Sequence, residues 1–162
     1  MMIRMADEVD FAQWLTLWKG YQAFYKTDIA DDVSAITWER FLDQAEPMHC
    51  AVAEDQGQLT GMVHYIDHRS CWTRGNYVYL QDLYVHVDSR GKGIGRALIE
   101  HVYAAANRSG ASRVWWLTHE SNADAMQLYD RIADKSGFLQ YRKFMCPTMG
   151  EIHLHRLNRT NP

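Results

Sequence analysis

The hydrophobic and polar positions change period several times along the chain. Residues 2–6 read as a short strand. Phe11, Leu15, Trp18 and Tyr21 then recur at three- and four-residue intervals, which predicts an amphipathic helix ending near Tyr25. Residues 26–33 are polar and loop-like. Thr37 is placed to cap a second helix, with Trp38, Phe41 and Leu42 as its apolar face, stopped by Pro47. From residue 49 the pattern becomes that of strands. His49–Glu54 and Gln58–His68, joined by Asp55-Gln56-Gly57, predict a hairpin, and Asn76–Val87 predicts a long third strand of the run. Ile94, Ala97, Leu98, His101, Val102 and Ala105 fall on one face of a helix that ends at Ser109-Gly110. Residues 112–118 predict a strand. A helix carrying Ala125, Leu128, Tyr129 and Ile132 follows, capped by Ser121 or Asn122. Phe138–Met145 reads as a further strand, and Ile152–Leu157 as a short last one.

The order is βαα, three strands, then αβαβ. The strands flanking the helix at 94 suit a right-handed parallel crossover, while the earlier strands suit antiparallel pairing. The expected fold is therefore an α/β (α+β) mixed sheet, mainly antiparallel, with helices on both faces. One domain spanning 1–162 accommodates it.

Composition narrows the function classes. A net charge of −3 argues against a general nucleic-acid binder. No apolar run is long enough for a membrane span. The opening MMIRMADEVDF lacks the apolar core of a signal peptide, and Cys50, Cys71 and Cys146 form no CxxC pair. A cytoplasmic protein with free thiols is the expectation. His153-x-His155 has no Cys or acidic pair nearby to complete a metal site, so no metal is expected.

The segment that carries chemistry is Gln81–Ala97, QDLYVHVDSRGKGIGRA. A strand runs into a turn with glycines at 91, 93 and 95, and the turn opens a helix. Glycines let successive N–H groups approach one ligand, and the first N–H groups of a helix lack internal partners at the positive end of its dipole. Arg90, Lys92 and Arg96 add positive charge, so the segment suits a phosphate or pyrophosphate. It matches neither GxxxxGK[ST] nor GxGxxG, since Arg96 stands where the third glycine of the latter belongs.

Arg90-Gly91-Lys92-Gly93-Ile94-Gly95 resembles instead the acetyl-CoA loop, R/Q-x-x-G-x-G/A, of the GNAT N-acetyltransferases. Gln81–Val85 resembles that family's central strand, Asn122 to Tyr129 its N-x-x-A-x-x-x-Y segment, and Gly137-Phe138 the G-F that follows. The wording is closest to the subgroup of fungal histone and polyamine acetyltransferases and spermidine/spermine acetyltransferases. The resemblance implies a sheet splayed between its fourth and fifth strands, with acetyl-CoA as co-substrate. It implies that backbone groups of Leu83, Tyr84 and Val85 hold the pantetheine arm. Arg90, Gly91, Lys92, Gly93, Ile94, Gly95 and Arg96 hold the pyrophosphate, and Asn122 hydrogen-bonds the pantetheine. The Leu83 N–H stabilises the oxyanion, and Tyr129 protonates the departing thiolate. The chain departs from many relatives in having Gln81 where they have Glu, and an amide cannot take a proton. Asp82 falls on the opposite strand face, where an internal ion pair or hydrogen bond is its ordinary role. His119 is a candidate base, alongside a water relay with no single base.

On the acceptor side, residues 28–46 hold Asp28, Asp31, Asp32, Glu39, Asp43 and Glu46 against Arg40. Such a segment is either a solvated face or an attractor of cationic amines. The expected substrate is a primary amine: a polyamine, an amino acid or a basic peptide. Gln81, Asp31, Asp32 and His119 are the candidate acceptor contacts. A non-catalytic acetyl-CoA sensor of the same fold is the alternative. The apolar margin formed by the last two predicted strands suggests a homodimer.

Overall fold

A computed structural model describes residues 1–145. They fall into two compact units, residues 1–117 and the described residues from 118 onward. The first unit holds a five-stranded sheet in sequence order: β1 (Met2–Met5), β2 (Met48–Asp55), β3 (Gln58–His68), β4 (Tyr77–Val85) and β5 (Arg113–Trp115). The first four strands pair antiparallel, and β4 pairs parallel with β5. The helices are α1 (Phe11–Phe24), α2 (Asp31–Leu42) and α3 (Ile94–Arg108). The mixed, mainly antiparallel sheet with helices on both faces is the architecture the periodicity predicts.

The β2–β3 hairpin forms because Gln56 and Gly57 both take positive φ, +52° and +79°, the turn whose twist matches two right-twisted strands. On one sheet face, Cys50, Val52 and Met62 meet Trp14, Leu17 and Trp18 of α1 and Trp38 of α2. Burial raises the Cys50 thiol well above its ordinary range, which keeps it protonated and inert. On the other face, α3 lies close over Gly61. A Cβ there would stand 3.2 Å from both Ile94 and Leu98, so glycine is what permits the approach.

Three elements differ from the sequence expectation. The buried face of α1 is Trp14, Leu17, Trp18 and Gln22, whereas Phe11 lies at the margin and Leu15 is half-buried. Two sets of large residues overlap at helical spacing, and the one carrying the Trp14–Trp18 pair wins the sheet. Helix α2 begins at Asp31, so Thr37 lies inside it instead of capping it. Asp31 and Asp32 in the first turn favour that start through the helix dipole. Beyond residue 117, the second unit contains α4 (Ala123–Tyr129), and Phe138–Met145 forms no strand. Period-two alternation supplies the side-chain pattern of a strand, but a strand also needs a ladder partner for its N–H and C=O groups, and these residues have none among the described residues. The expected strand Ile152–Leu157, Cys146 and the His153–His155 pair lie outside the described residues.

A part-buried ion pair ties β1 to the start of α1. Arg4 donates to both carboxylate oxygens of Asp10, at 2.6 and 2.8 Å, and to Glu54 at 2.7 Å. The hydrogen bonds from Arg4 hold the Asp10 carboxyl below the usual carboxylate range. A group lowered in this way contributes stability that is full above its unfolded pKa and disappears as pH falls through the lower native one. Asp10→Asn should therefore cost about 2 kcal/mol near neutral pH. The gap to the parent chain should shrink in acid, as pH falls below the ordinary aspartate value of about 4 and through the lower native one. Urea unfolding at several pH values checks both statements; a gap that persists unchanged in acid contradicts them.

Candidate active site

The centre of the site is an irregularity in β4. Leu80 pairs with Tyr65 and Asp82 with His64, so Gln81 is an extra residue, a β-bulge. The bulge resets the alternation. Asp82 and Tyr84 face α1 together with Tyr79, while Gln81 is exposed. On its other side β4 is paired only at Tyr77, Val78 and Tyr79, because β5 ends at Trp115. From Leu80 to Val85 that edge has no ladder partner among the described residues. This is the splay between the fourth and fifth strands.

The ladder determines which backbone groups face the open edge. The His86 N–H donates to the Thr60 carbonyl at 2.9 Å, which makes those two a hydrogen-bonded pair. In an antiparallel ladder such pairs alternate. In this register Tyr84 therefore bonds to Met62 and Asp82 to His64, while Leu83 and Val85 direct their N–H and C=O groups away from β3. The Leu83 N–H and both Val85 groups lie on the open edge. The Tyr84 backbone does not; its ring is the part available for contact. Gly20 of α1 leaves room for that ring, since a Cβ there would stand 2.6 Å from the Tyr84 hydroxyl.

The strand runs through one tight turn at Val87–Ser89 into the glycine loop. Gly91 and Gly93 take φ of +74° and +79°, left-handed conformations that L side chains rarely adopt. Gly93 is the N-cap of α3, and its carbonyl accepts the first intrahelical bond, from Ala97 at 3.0 Å. The N–H groups of Ile94, Gly95 and Arg96 are thus left without intrahelical acceptors at the positive end of a fifteen-residue helix. Arg90 stands beside the open edge. Its Nε donates to the Val85 carbonyl at 3.1 Å, and its guanidinium lies 5.8 Å from the Phe24 ring and 5.9 Å from the Tyr84 ring. Lys92 reaches the Asp88 carbonyl at 3.3 Å, and Arg96 pairs with Glu100 at 2.7 Å. Both lysine and arginine stay on the surface, free to turn towards an anion.

An extended donor edge leading into an anion cradle fits a long, thin ligand with phosphates at one end. Residues 11–133 match the family model described as "Acetyltransferase (GNAT) family". The chain belongs to the GNAT acetyltransferases. It is 36% identical over 145 residues to the D-amino-acid N-acetyltransferase of Saccharomyces cerevisiae, covering 88% of this chain and 90% of that one. It is 32% identical over 139 residues to the thialysine N-epsilon-acetyltransferase of Bos taurus, with 80% and 81% covered. Among solved structures, a ribosomal-protein-alanine N-acetyltransferase from Brucella melitensis biovar Abortus 2308 superposes with a TM-score of 0.74 at 25% identity, covering 90% of this chain and all of that one. An aminoglycoside N-acetyltransferase in complex with CoA shares the fold, with a TM-score of 0.77 at 17% identity, covering 90% of this chain and 95% of that one. This GNAT chain is therefore an acyl-transferring enzyme.

The remaining expected site residues are placed as follows. Asp31 is exposed at the start of α2 and is held by Lys19 at 3.0 Å; Asp32 is exposed beside it. In the second unit, Asn122 precedes α4 and donates to the Thr118 hydroxyl at 3.3 Å, and Tyr129 is half-buried at the last turn of that helix. His119 is exposed, and its Nδ1 accepts the Ser121 N–H at 3.2 Å, which ties the ring into a local turn. No cluster of metal-ligating side chains occurs among the described residues, and none of their helices is long and apolar enough to cross a membrane.

One constellation escaped the sequence reading. The indole N–H of Trp14 donates to Nε2 of His64 at 2.9 Å, and Nδ1 of His64 stands 3.0 Å from Asp82 Oδ2. Burial and the charge of the same carboxylate raise the Tyr21 phenol far above its ordinary range. No periodicity signals this chain, because its members lie on α1, β3 and β4 and meet only through the fold.

Proposed function

We propose that this enzyme transfers an acetyl group from acetyl-CoA to a primary amine that is cationic in solution. The single observation that carries the reading is the open edge of β4 from Leu80 to Val85, continuous in sequence with the loop Arg90–Arg96 at the α3 N-terminus. The Leu83 and Val85 backbone groups extend the pantetheine arm along that edge as a further strand would lie. The orphan N–H groups of Ile94, Gly95 and Arg96, with Arg90 and Lys92, take the pyrophosphate. The Leu83 N–H faces the thioester oxygen and stabilises the negative charge that develops there as the amine attacks. Asn122 and Tyr129 are carried over from the family pattern, Asn122 as a pantetheine contact and Tyr129 as the acid that protonates the departing thiolate. Gln81 cannot act as base. Proton loss from the amine runs to water, and His119, already committed to the Ser121 turn, is the weaker candidate.

The acceptor class rests on the acidic segment 28–46 and on the amine substrates named for the similar yeast and bovine proteins. Thiol release from acetyl-CoA over a panel of polyamines, amino acids and lysine-like amines tests the reading. We expect turnover with cationic amines. Their KM should rise between roughly 0.05 and 0.5 M salt, as screening weakens steering, while the KM of acetyl-CoA holds. Tight acetyl-CoA binding with no turnover on any amine would make the chain a sensor instead. A cytoplasmic homodimer remains the partner reading. It is supported by the exposed apolar side chains of Phe138, Leu139, Tyr141 and Met145, although these form no strand edge.

A further inference from the structure

Asp82 is an unusual buried carboxylate. It is 7% exposed, yet no Lys or Arg among the described residues pairs with it. Asp10, the other buried carboxylate among the described residues, has Arg4, and exposed Asp31 has Lys19. The imidazole beside Asp82 does not supply the missing charge. An indole nitrogen can only donate, so Nε2 of His64 must accept from Trp14 and carry no proton. The single ring proton then sits on Nδ1 and is donated to Asp82. A histidine in one fixed tautomer thus holds the carboxylate from behind.

The ring of His64 cannot turn away from that task. It is 2% exposed and lies against Trp18 and Phe41, with centroids at 5.2 and 4.5 Å. From the α1 side, burial together with the Asp82 charge raises the Tyr21 phenol far above its ordinary range, so it stays protonated on that side of the carboxylate. The stacked rings of Trp18 and Tyr21, and Tyr25 against Tyr21, wall the same side. A carboxylate without a Lys or Arg partner among the described residues, held by the His64 ring and flanked by aromatic rings, has the chemistry that suits an ammonium group. It lies one residue from Leu83, whose N–H faces the open edge.

We propose that Asp82 binds the acceptor amine directly, and that His64 and Trp14 are positioning residues that keep its carboxylate aimed. The inference rests on the acetyltransferase reading. It names which carboxylate selects a cationic acceptor: Asp82, rather than the exposed Asp31 and Asp32. The contact serves turnover as well as binding. When a neutral amine attacks a carbonyl, its nitrogen becomes positive as the oxygen becomes negative; in this proposal Asp82 answers the first charge and the Leu83 N–H the second.

Steady-state kinetics with a cationic amine, paired with calorimetry of acetyl-CoA, tests this. Asp82→Asn preserves shape and should lower kcat/KM for the amine by about 10- to 100-fold, the range for losing a charge-assisted hydrogen bond, with acetyl-CoA affinity unchanged. Two substitutions at position 64 separate positioning from folding. His64→Asn places an amide nitrogen where Nδ1 was and still donates to Asp82, so its amine kinetics should stay within about threefold of the parent. His64→Gln places its polar end at the Nε2 position, satisfies Trp14 and abandons Asp82, so it should resemble Asp82→Asn. Amine kinetics unchanged in Asp82→Asn would overturn the proposal while leaving the acetyltransferase reading intact. Equal impairment in both position 64 variants would assign His64 a packing role only and overturn its part. If neither position 64 variant folds, Asp82→Asn decides alone. Absence of any amine turnover in the parent chain would overturn both readings.

Discussion

Gly93→Val should reduce acetyl-CoA affinity by at least about 100-fold. Gly93 does two things at once: it turns the chain through the left-handed region at φ +79°, and its carbonyl starts α3. A β-branched residue there costs about 1–2 kcal/mol of backbone strain. The space a Cβ would occupy holds no protein atom within 4 Å, so the loss is not a clash inside the chain. It lies where the pyrophosphate would come against the backbone. Losing even two charge-assisted hydrogen bonds forfeits about 3–6 kcal/mol, or two to four decades of affinity. Calorimetry on the folded variant reads the effect directly. Affinity within threefold of the parent would detach the loop from the pyrophosphate and leave its glycines as turn residues only.

Tyr129→Phe should lower kcat by roughly 10- to 1000-fold, the range for a lost general acid. The ring, half-buried at the last turn of α4, is retained in the variant, so packing and the KM of acetyl-CoA should change little. An added low-pKa thiol leaving group sharpens the test. If protonation of the thiolate limits the step, an acyl donor whose thiolate leaves unprotonated should recover much of the lost rate. A kcat within twofold of the parent with acetyl-CoA would hand the proton to water.

The parts of the fold that local rules govern were legible in the sequence. The β2–β3 hairpin followed from Asp55-Gln56-Gly57 between alternating runs, and α3 from an uninterrupted helical stripe closed by Gly110. The glycine loop was legible because φ near +75° leaves glycine as its sequence trace. What misled was competition between equally good local patterns. Helix α1 carries two apolar stripes, and only the sheet decides that Trp14 and Trp18 face inward. Helix α2 starts six residues before Thr37 because acidic residues suit its first turn as well as a hydroxyl suits a cap. Phe138–Met145 has strand alternation without a ladder partner among the described residues. The Trp14–His64–Asp82 chain had no local signature at all, since its contacts span fifty and eighteen residues. Asp82 as an internally bonded residue was expected, but the bulge at Gln81, which sets its face, and its partner His64 had no local signal.

The central claim is that the unpaired edge of β4 receives acetyl-CoA, and backbone amide exchange tests it residue by residue. In the free protein the Tyr84 N–H, bonded to Met62, should exchange slowly, and the Leu83 and Val85 N–H groups on the open edge should exchange fast. Saturating acetyl-CoA should slow Leu83 and Val85 by tenfold or more, together with Ile94, Gly95 and Arg96 at the α3 N-terminus, and leave Tyr84 as it was. Protection at the loop without any change at Leu83 and Val85 would contradict the account, because the ligand would then be held by its phosphates alone and not along the strand.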